Sequence, residues 1–314
     1  MTSLAPIFEL TPGGYHQSCP VGVFRDFTTP VRYTVTSEDK AWHRVYAITA
    51  REQKASNIPT TYHFEKVRIM QNVWQEFYEE QDSGNELTWA SGNKGFKWAM
   101  SGAATEDYPT TQIDNGKTGK CVKLETRLTG DLGNMVGMPI AAGNLFIGSF
   151  DMLNAITNPL SATRFGTPFY NKPLRLTGYY KYKAGEQFYE NGEYTSRKDI
   201  FNIYAIFYDG VKYDSAGKGT DVTLDGNLPN QNYEHPSMVA LALVSNPQET
   251  EGDEWKFFDI PFDYQRYGKK IDEARLTKGE YKISIIFASS KDGATFEGAP
   301  GSTLLIDEVE LIYE

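Results

Sequence analysis

Asp307 and Glu308 interrupt an apolar closing segment, STLLIDEVELIY, in which Leu304, Leu305, Ile306, Val309 and Leu311 surround them. Carboxylates among such neighbours need a partner, a metal or water, because an unpaired buried charge is costly. Just upstream, Lys291 and Asp292 stand in a glycine-rich stretch, SSKDGATFEGAPGS. A phosphate cradle is one reading of such a loop. It fails because a helix N-terminus should follow and the pattern here is a strand. A wide hairpin with Gly at positive φ is expected instead, with Lys291 and Asp292 at its edge for contact with a hydroxyl-rich ligand.

Sugars present C–H faces and a ring of hydroxyls, so a saccharide site needs flat aromatic platforms and planar polar side chains. Trp74, Trp89, Trp98, Tyr179, Tyr180 and Tyr182 are the candidate platforms. In LRLTGYYKYK, strand alternation places Leu174, Leu176, Gly178, Tyr180 and Tyr182 on one face. Arg175, Thr177, Tyr179, Lys181 and Lys183 share the other, which suits a solvated sheet holding a saccharide; ordinary cross-strand Tyr–Lys packing is the plainer alternative. Trp89 and Trp98 flank SGNKG (Ser91 to Gly95), a loop signature that makes them rim platforms or, equally in character for Trp, core residues. The expected ligand contacts are therefore Trp89, Trp98, Arg175, Tyr179, Lys181, Lys291 and Asp292.

Glycoside hydrolysis usually needs two carboxylates, about 5–5.5 Å apart for retention or about 6.5–9.5 Å for inversion. Glu186 with Glu190, and Asp259 with Asp263, are pairs of that kind, but neither sits in a catalytic motif. There is no GxSxG, and no His stands beside a candidate nucleophile. CxxC and HExxH are absent, and the four His are scattered, which argues against zinc. Nothing in the chain asks for an organic cofactor. Cys19 and Cys121 share no recognisable spacing and read as two free thiols.

The elements that position these residues read as mostly strand. Aromatic residues are 14% of the chain, with 20 Tyr, 18 Phe, 28 Gly and 15 Pro, a composition suited to β-structure with many turns. Strands are expected at 121–128, 174–183, 200–209, 238–245, 255–264, 281–290 and 302–313. No helical crossover pattern lies between them, so the sheets are read as antiparallel. Val67 to Gln81 places Ile69, Val73, Trp74 and Phe77 at helical spacing and is read as an amphipathic helix. Asp272 to Leu276 is a second, short helix candidate. Nearer the start, Val31, Tyr33 and Val35 face either Val45, Ala47 and Thr49 or Tyr46 and Ile48 across Ser37–Lys40 as a hairpin.

At 314 residues the chain suggests two domains, read as 1–61, including a polar linker from Arg51, and 62–314. A net charge of −10 without a Lys/Arg cluster excludes a nucleic-acid partner, since phosphate binding needs a positive footprint. No apolar run is long enough to span a membrane. The start, MTSLAPIFEL, lacks the basic and apolar regions of a signal peptide, so the chain is read as cytosolic or as lacking an export segment removed from it.

Two resemblances refine this. FTTPVRYTVTSEDKAWHRVY (Phe27 to Tyr46) resembles the short immunoglobulin-like modules of bacterial surface proteins. TWASGNKGF, AAGNLFIGSF, ATRFGTPF, PLRLTGYYKYKAGE, DIFNIYAIFYD and SSKDGATFEGAPGSTLLIDEVEL occur in order from Thr88 to Leu311. They resemble the putative carbohydrate metabolism domain of surface proteins in gut Bacteroidetes. The resemblance implies an all-β protein: an immunoglobulin-like β-sandwich followed by a larger jelly-roll-like antiparallel β-sandwich. By analogy with jelly-roll sugar-binding modules it implies a structural calcium, with Glu65 and Asp307 as ligands; a carboxylate at a bulge or edge reaching water or backbone amides is the plainer alternative for Asp307. It further implies export to the cell surface or periplasm, with a lipid anchor on the full-length protein. The function expected is non-catalytic binding of an oligosaccharide or polysaccharide, within a surface glycan-uptake complex at the outer membrane. A carboxylate-pair glycoside hydrolase and a structural or adhesive module are the alternatives.

Overall fold

The computed structural model describes residues 3–4, 15–17, 25–26, 31–37, 39–48, 56–81 and 84–314. Two compact units are present, Met1–Ala55 and Ser56–Glu314. Cys19 and residues 51–55 of the expected linker lie outside the described residues.

In the first unit, Val31–Ser37 pairs antiparallel with His43–Ile48, with Tyr33 opposite Tyr46, and the turn at 37–42 closes the hairpin as alternation predicts. Tyr15–Gln17 adds a third strand, and Ser3–Leu4 pairs with Arg25–Asp26.

The second unit is built on two larger antiparallel sheets. One runs Thr110–Ile113, Cys121–Glu125, Thr303–Tyr313, Pro173–Lys183, Lys256–Pro261, with Thr61–Tyr62 also paired to Thr303–Tyr313. The other runs Asn144–Phe146, Tyr281–Ala288, Asn202–Asp209, Met238–Leu243, with Thr167–Pro168 also paired to Tyr281–Ala288. Leu176, Tyr180, Ile306 and Leu311 of the first share one core with Ile203, Ala205, Ile285 and Phe287 of the second. Asn202–Asp209 is buried on both faces, which explains its unbroken apolar reading: Tyr204, Ile206 and Tyr208 feed a second cluster with Phe146, Phe165 and Met238. Each fully buried large side chain of this kind contributes about 1.5–3 kcal/mol.

Strand makes up 44% and helix 13%, so the all-β expectation agrees with the structure. The immunoglobulin-plus-jelly-roll architecture does not. Described strands fall into nine sheets of two to six strands, two in the first unit and seven in the second, rather than into an immunoglobulin sandwich and a jelly roll. The physical reason lies in segments that read as connections. Phe188–Glu190 with Glu193–Thr195, and Val211–Tyr213 with Gly219–Asp221, form ribbons of their own across Gly192 and Gly217, both at positive φ.

Two local expectations are also corrected. Val67 to Gln81 is a hairpin, Val67–Met70 with Trp74–Glu80, turned at Gln71 and Asn72, which both have positive φ. Its helical spacing arises because opposite strand faces feed separate cores: Trp74 packs with Phe96 and Tyr108, whereas Phe77 joins the main cluster. The terminal loop 291–301 is not a hairpin either. Tyr281–Ala288 and Thr303–Tyr313 belong to different sheets, so the loop crosses between them. The short helix near 272–276 does form, as Glu273–Thr277 capped by the Asp272 carboxylate. No helix among the described residues is long and apolar enough to cross a membrane.

Candidate functional site

Alternation in Pro173–Lys183 works as expected: Leu176, Tyr180 and Tyr182 are buried, and Arg175, Tyr179 and Lys181 are partly exposed on the opposite face. The neighbouring strand completes that face, because Arg175 pairs with Pro261, Thr177 with Asp259 and Tyr179 with Phe257. The Tyr179 and Phe257 rings are 5.2 Å apart and tilted by 56°. Phe257 is 53% exposed, far more than a structural aromatic requires. Lys117 Nζ lies 4.9 Å from the Tyr179 ring centre, and Lys181 Nζ 5.1 Å from that of Trp255. Arg175 grips Asp259 through two nitrogens at 2.6 Å each, a planar fork at the edge of the aromatic pair. Beside Phe257 and Asp259 opens a concavity of about 530 Å³, also lined by Tyr180, Asn246, Lys256 and Arg266. Its size falls within the usual range of small-molecule sites, roughly 300–1,000 Å³.

A second, narrower cavity of about 170 Å³ lies elsewhere in this unit. The Asn93–Ala99 helix supplies Phe96 and Trp98 to its wall, and Phe150, Phe165 and Phe296 add further rings. This helix replaces the expected SGNKG loop. It forms because Asn93 is buried against the sheet: its Nδ2 donates to Thr110 O at 2.7 Å and its Oδ1 accepts from Thr110 N at 3.1 Å. Lys291 is the only charged side chain on the cavity wall, which carries no Asp or Glu.

The remaining expected contacts separate. Trp89 is 1% exposed and packs edge-on to Tyr62 at 5.0 Å, so it is a core residue and not a rim platform. Asp292 pairs with Arg197, which also holds Glu190 at 3.1 Å, so Asp292 anchors its loop. The structure thus brings Arg175, Tyr179 and Lys181 together on one face and Trp98 with Lys291 at another place.

Asp307 is fully buried opposite Tyr179. Its Oδ2 accepts the Thr118 amide at 3.0 Å and its Oδ1 the Glu308 amide at 2.8 Å. Glu308 has φ 47° and sits where the register slips beside Gly178, so the carboxylate pair marks a bulge. Burial pushes the Asp307 carboxyl up to about 6 despite these donors. Glu65 Oε1 accepts the Lys120 amide at 2.8 Å. Both proposed calcium ligands therefore clamp the backbone of one loop, 117–120. Calcium takes six to eight oxygens, and the described residues contain no group of three His, Cys, Asp or Glu placed for a metal. This donor set does not fit a calcium cage.

Three carboxylates of the two expected pairs are engaged by other groups. Asp259 is held by Arg175, Asp263 caps the turn at Gln265 and Arg266, and Glu190 is held by Arg197.

Three contributors were not singled out from the sequence. Phe257 and Trp255 follow from the alternation of WKFFDIPF only once that strand's partner is known. Asp199, at the head of DIFNIYAIFYD, is 2% exposed and accepts from Ser290 Oγ at 2.6 Å, Ser302 Oγ at 2.7 Å and Ala299 N at 2.8 Å. An Asp opening an apolar run was the available signal.

The family model described as "Putative carbohydrate metabolism domain" matches residues 63–312. The model described as "SGBP, N-terminal", a surface glycan-binding N-terminus, matches residues 1–50. No curated protein matches the chain. A crystal structure from Bacteroides vulgatus, called a putative glycoside hydrolase, is similar at 50% identity and TM-score 0.76, covering 83% of this chain and 100% of that one. Another from Bacteroides thetaiotaomicron, given the same description, is similar at 46% identity and TM-score 0.73, covering 100% of this chain and 87% of that one.

Proposed function

Because the chain belongs to the putative carbohydrate metabolism domain family, we propose that it is a non-catalytic glycan-binding protein of the cell surface or another exported location, whose saccharide lies on the outer sheet face. The observation that carries this reading is the Tyr179–Phe257 ring pair, with Phe257 53% exposed beside the Arg175–Asp259 fork. The rings offer flat surfaces to sugar C–H groups. Arg175, Asp259, Asn246 and Lys256 offer planar or mobile polar groups to hydroxyls, and the concavity beside them is large enough for a saccharide. The surface glycan-binding N-terminus supports both the ligand class and the location. An oligosaccharide is therefore the proposed partner, within a surface glycan-uptake assembly. Binding of oligosaccharides on a glycan array, lost in Phe257→Ala and Tyr179→Ala, is the expected result. An array without a single binder sinks it.

A hydrolase is the second reading, favoured by the description of the two similar structures and by one residue, Asp307, whose carboxyl is raised to about 6. A raised carboxyl is the form a general acid takes. Full burial beneath the 117–120 loop weighs against that role, since a general acid must reach the glycosidic oxygen. Turnover of a chromogenic glycoside, abolished by Asp307→Asn, would make this reading the better one.

A further inference from the structure

The 170 Å³ cavity does not have the chemistry of a sugar site. Phe96, Phe150, Phe165, Phe296, Met138 and Ile286 dominate its wall, and a hexose there would leave most of its hydroxyls without partners. We propose that this cavity is a separate binding site for a small aromatic acid: one six-membered aromatic ring inside, its carboxylate on Lys291.

Volume sets the ring size. A dry, apolar cavity of about 150 Å³ lined by Leu, Ile and Phe takes up benzene, and this one is about 170 Å³. The wall sets the ring type, because several phenyl groups around one cavity favour edge and offset contacts with another aromatic ring. Lys291 sets the charge. Its side chain is exposed, it is the only Lys, Arg, His, Asp or Glu among the described residues of the wall, and among the described residues its ammonium makes no hydrogen bond or ion pair. The adjacent Asp292 is taken by Arg197 and leaves that ammonium uncompensated. Thr163 Oγ1, also on the wall, is buried without a hydrogen-bond partner, a second group for a ligand oxygen.

The site is also built rather than left over. Phe296 is held at φ 59°, an uncommon conformation for a bulky residue. The loop that carries it is fixed at both ends by Asp199, through Ser290 on one side and Ser302 on the other. The short helices Gly130–Met135 and Met152–Thr157 bring Gly133, Met152 and Ala155 to its wall.

The test is saturation-transfer NMR and calorimetry on the full chain, with sodium benzoate as probe, phenol as its uncharged counterpart and glucose as control. Benzoate is expected to bind saturably and glucose to give no signal at this site. Lys291→Ala, an exposed substitution, should weaken benzoate at least fivefold while leaving phenol unchanged. Ala155→Phe, which fills the cavity, should abolish both in a variant that still unfolds cooperatively. Absence of saturable benzoate binding to the folded wild-type protein would overturn the proposal, as would unchanged benzoate affinity in Lys291→Ala. Neither result bears on saccharide binding at Tyr179 and Phe257, which these variants leave intact.

Discussion

Tyr179 and Phe257 stand opposite each other on adjacent antiparallel strands, with ring centres 5.2 Å apart, and both face away from the core. An aromatic pair placed this way stabilises its own sheet modestly, by about 0.5–1.5 kcal/mol. Phe257 is nevertheless half in water, an arrangement with more value for a ligand than for folding. Phe257→Ala should therefore lower oligosaccharide affinity by about tenfold, on the order of 1 kcal/mol. The thermal midpoint should move by only a few degrees. Calorimetric titration beside a melting curve checks both, and a large loss of stability with unchanged affinity would identify the pair as structural.

Asp199 joins the two ends of the terminal crossover loop, and its substitution should be felt there first. Asp199→Ala leaves the Ser290 and Ser302 hydroxyls and the Ala299 amide without their acceptor in a buried place. Leaving such groups unpaired costs about 1–3 kcal/mol each at most, and partial relaxation makes about 2–4 kcal/mol a reasonable total. Urea unfolding should show the loss, and limited proteolysis should show earlier cleavage within 291–301. Unchanged proteolysis would mean that the loop is held by other contacts.

These two cases mark how far the sequence could be read. The alternation of LRLTGYYKYK was legible because its faces meet different surroundings, so Arg175, Tyr179 and Lys181 were found together. The Val67–Gln81 hairpin was misread because Trp74 and Phe77 serve different cores, and two half-patterns imitate one helical stripe. The carboxylates of Asp307 and Glu308 were rightly seen as needing partners. That Asp307 takes the Thr118 amide and Glu308 takes His63, each about two hundred residues earlier, depends on sheet order, which no local pattern carries. Asp199 stayed hidden for the same reason, since its three partners follow 91 to 103 residues later. Trp98 was placed near a ligand for its type, but the short helix presenting it is held by Asn93 and Thr110, a contact invisible in SGNKG.

Asp307 should give the protein a recognisable pH dependence. Its carboxyl, raised to about 6 in the folded state from an ordinary 3.8, binds a proton more tightly folded than unfolded. Stability from this group therefore rises as pH falls from about 7 to 4, and is lost as pH climbs through 6. The full swing is on the order of 2–3 kcal/mol. Burial pushes Glu79 and Asp199 up as well, so the informative quantity is the difference between wild type and Asp307→Asn. Unfolding free energies measured every half unit from pH 4.5 to 8 should show a shallower slope in the variant. Parallel curves would show that Asp307 does not titrate in this range.

Removal of divalent cations should leave the fold untouched. Glu65 and Asp307 each spend an oxygen on a backbone amide of the 117–120 loop, and that interaction needs no metal. Melting curves with and without a chelator should superimpose. A drop of several degrees on chelation, restored by calcium, would instead support a calcium held at these carboxylates.

Cys121 offers a direct reading of how tightly the first large sheet is closed. Its side chain is fully buried, and burial, with Asp307 nearby adding to it, pushes the thiol up to about 12. The thiolate is the reactive form, so at pH 8 the folded protein should present almost none of it to a disulfide reagent. In a Cys19→Ser background, which leaves this thiol alone, labelling should be negligible over hours and complete on addition of denaturant. Gly178 lies in the strand beyond the last one, where a Cβ would come within 2.7 Å of Phe258 and 2.9 Å of Val309. Gly178→Ala should therefore loosen the bulge and speed native labelling of Cys121 along with unfolding. If labelling is fast in the unmodified sheet, opening does not require unfolding, and the Asp307 clamp on the 117–120 loop is weaker than its geometry implies.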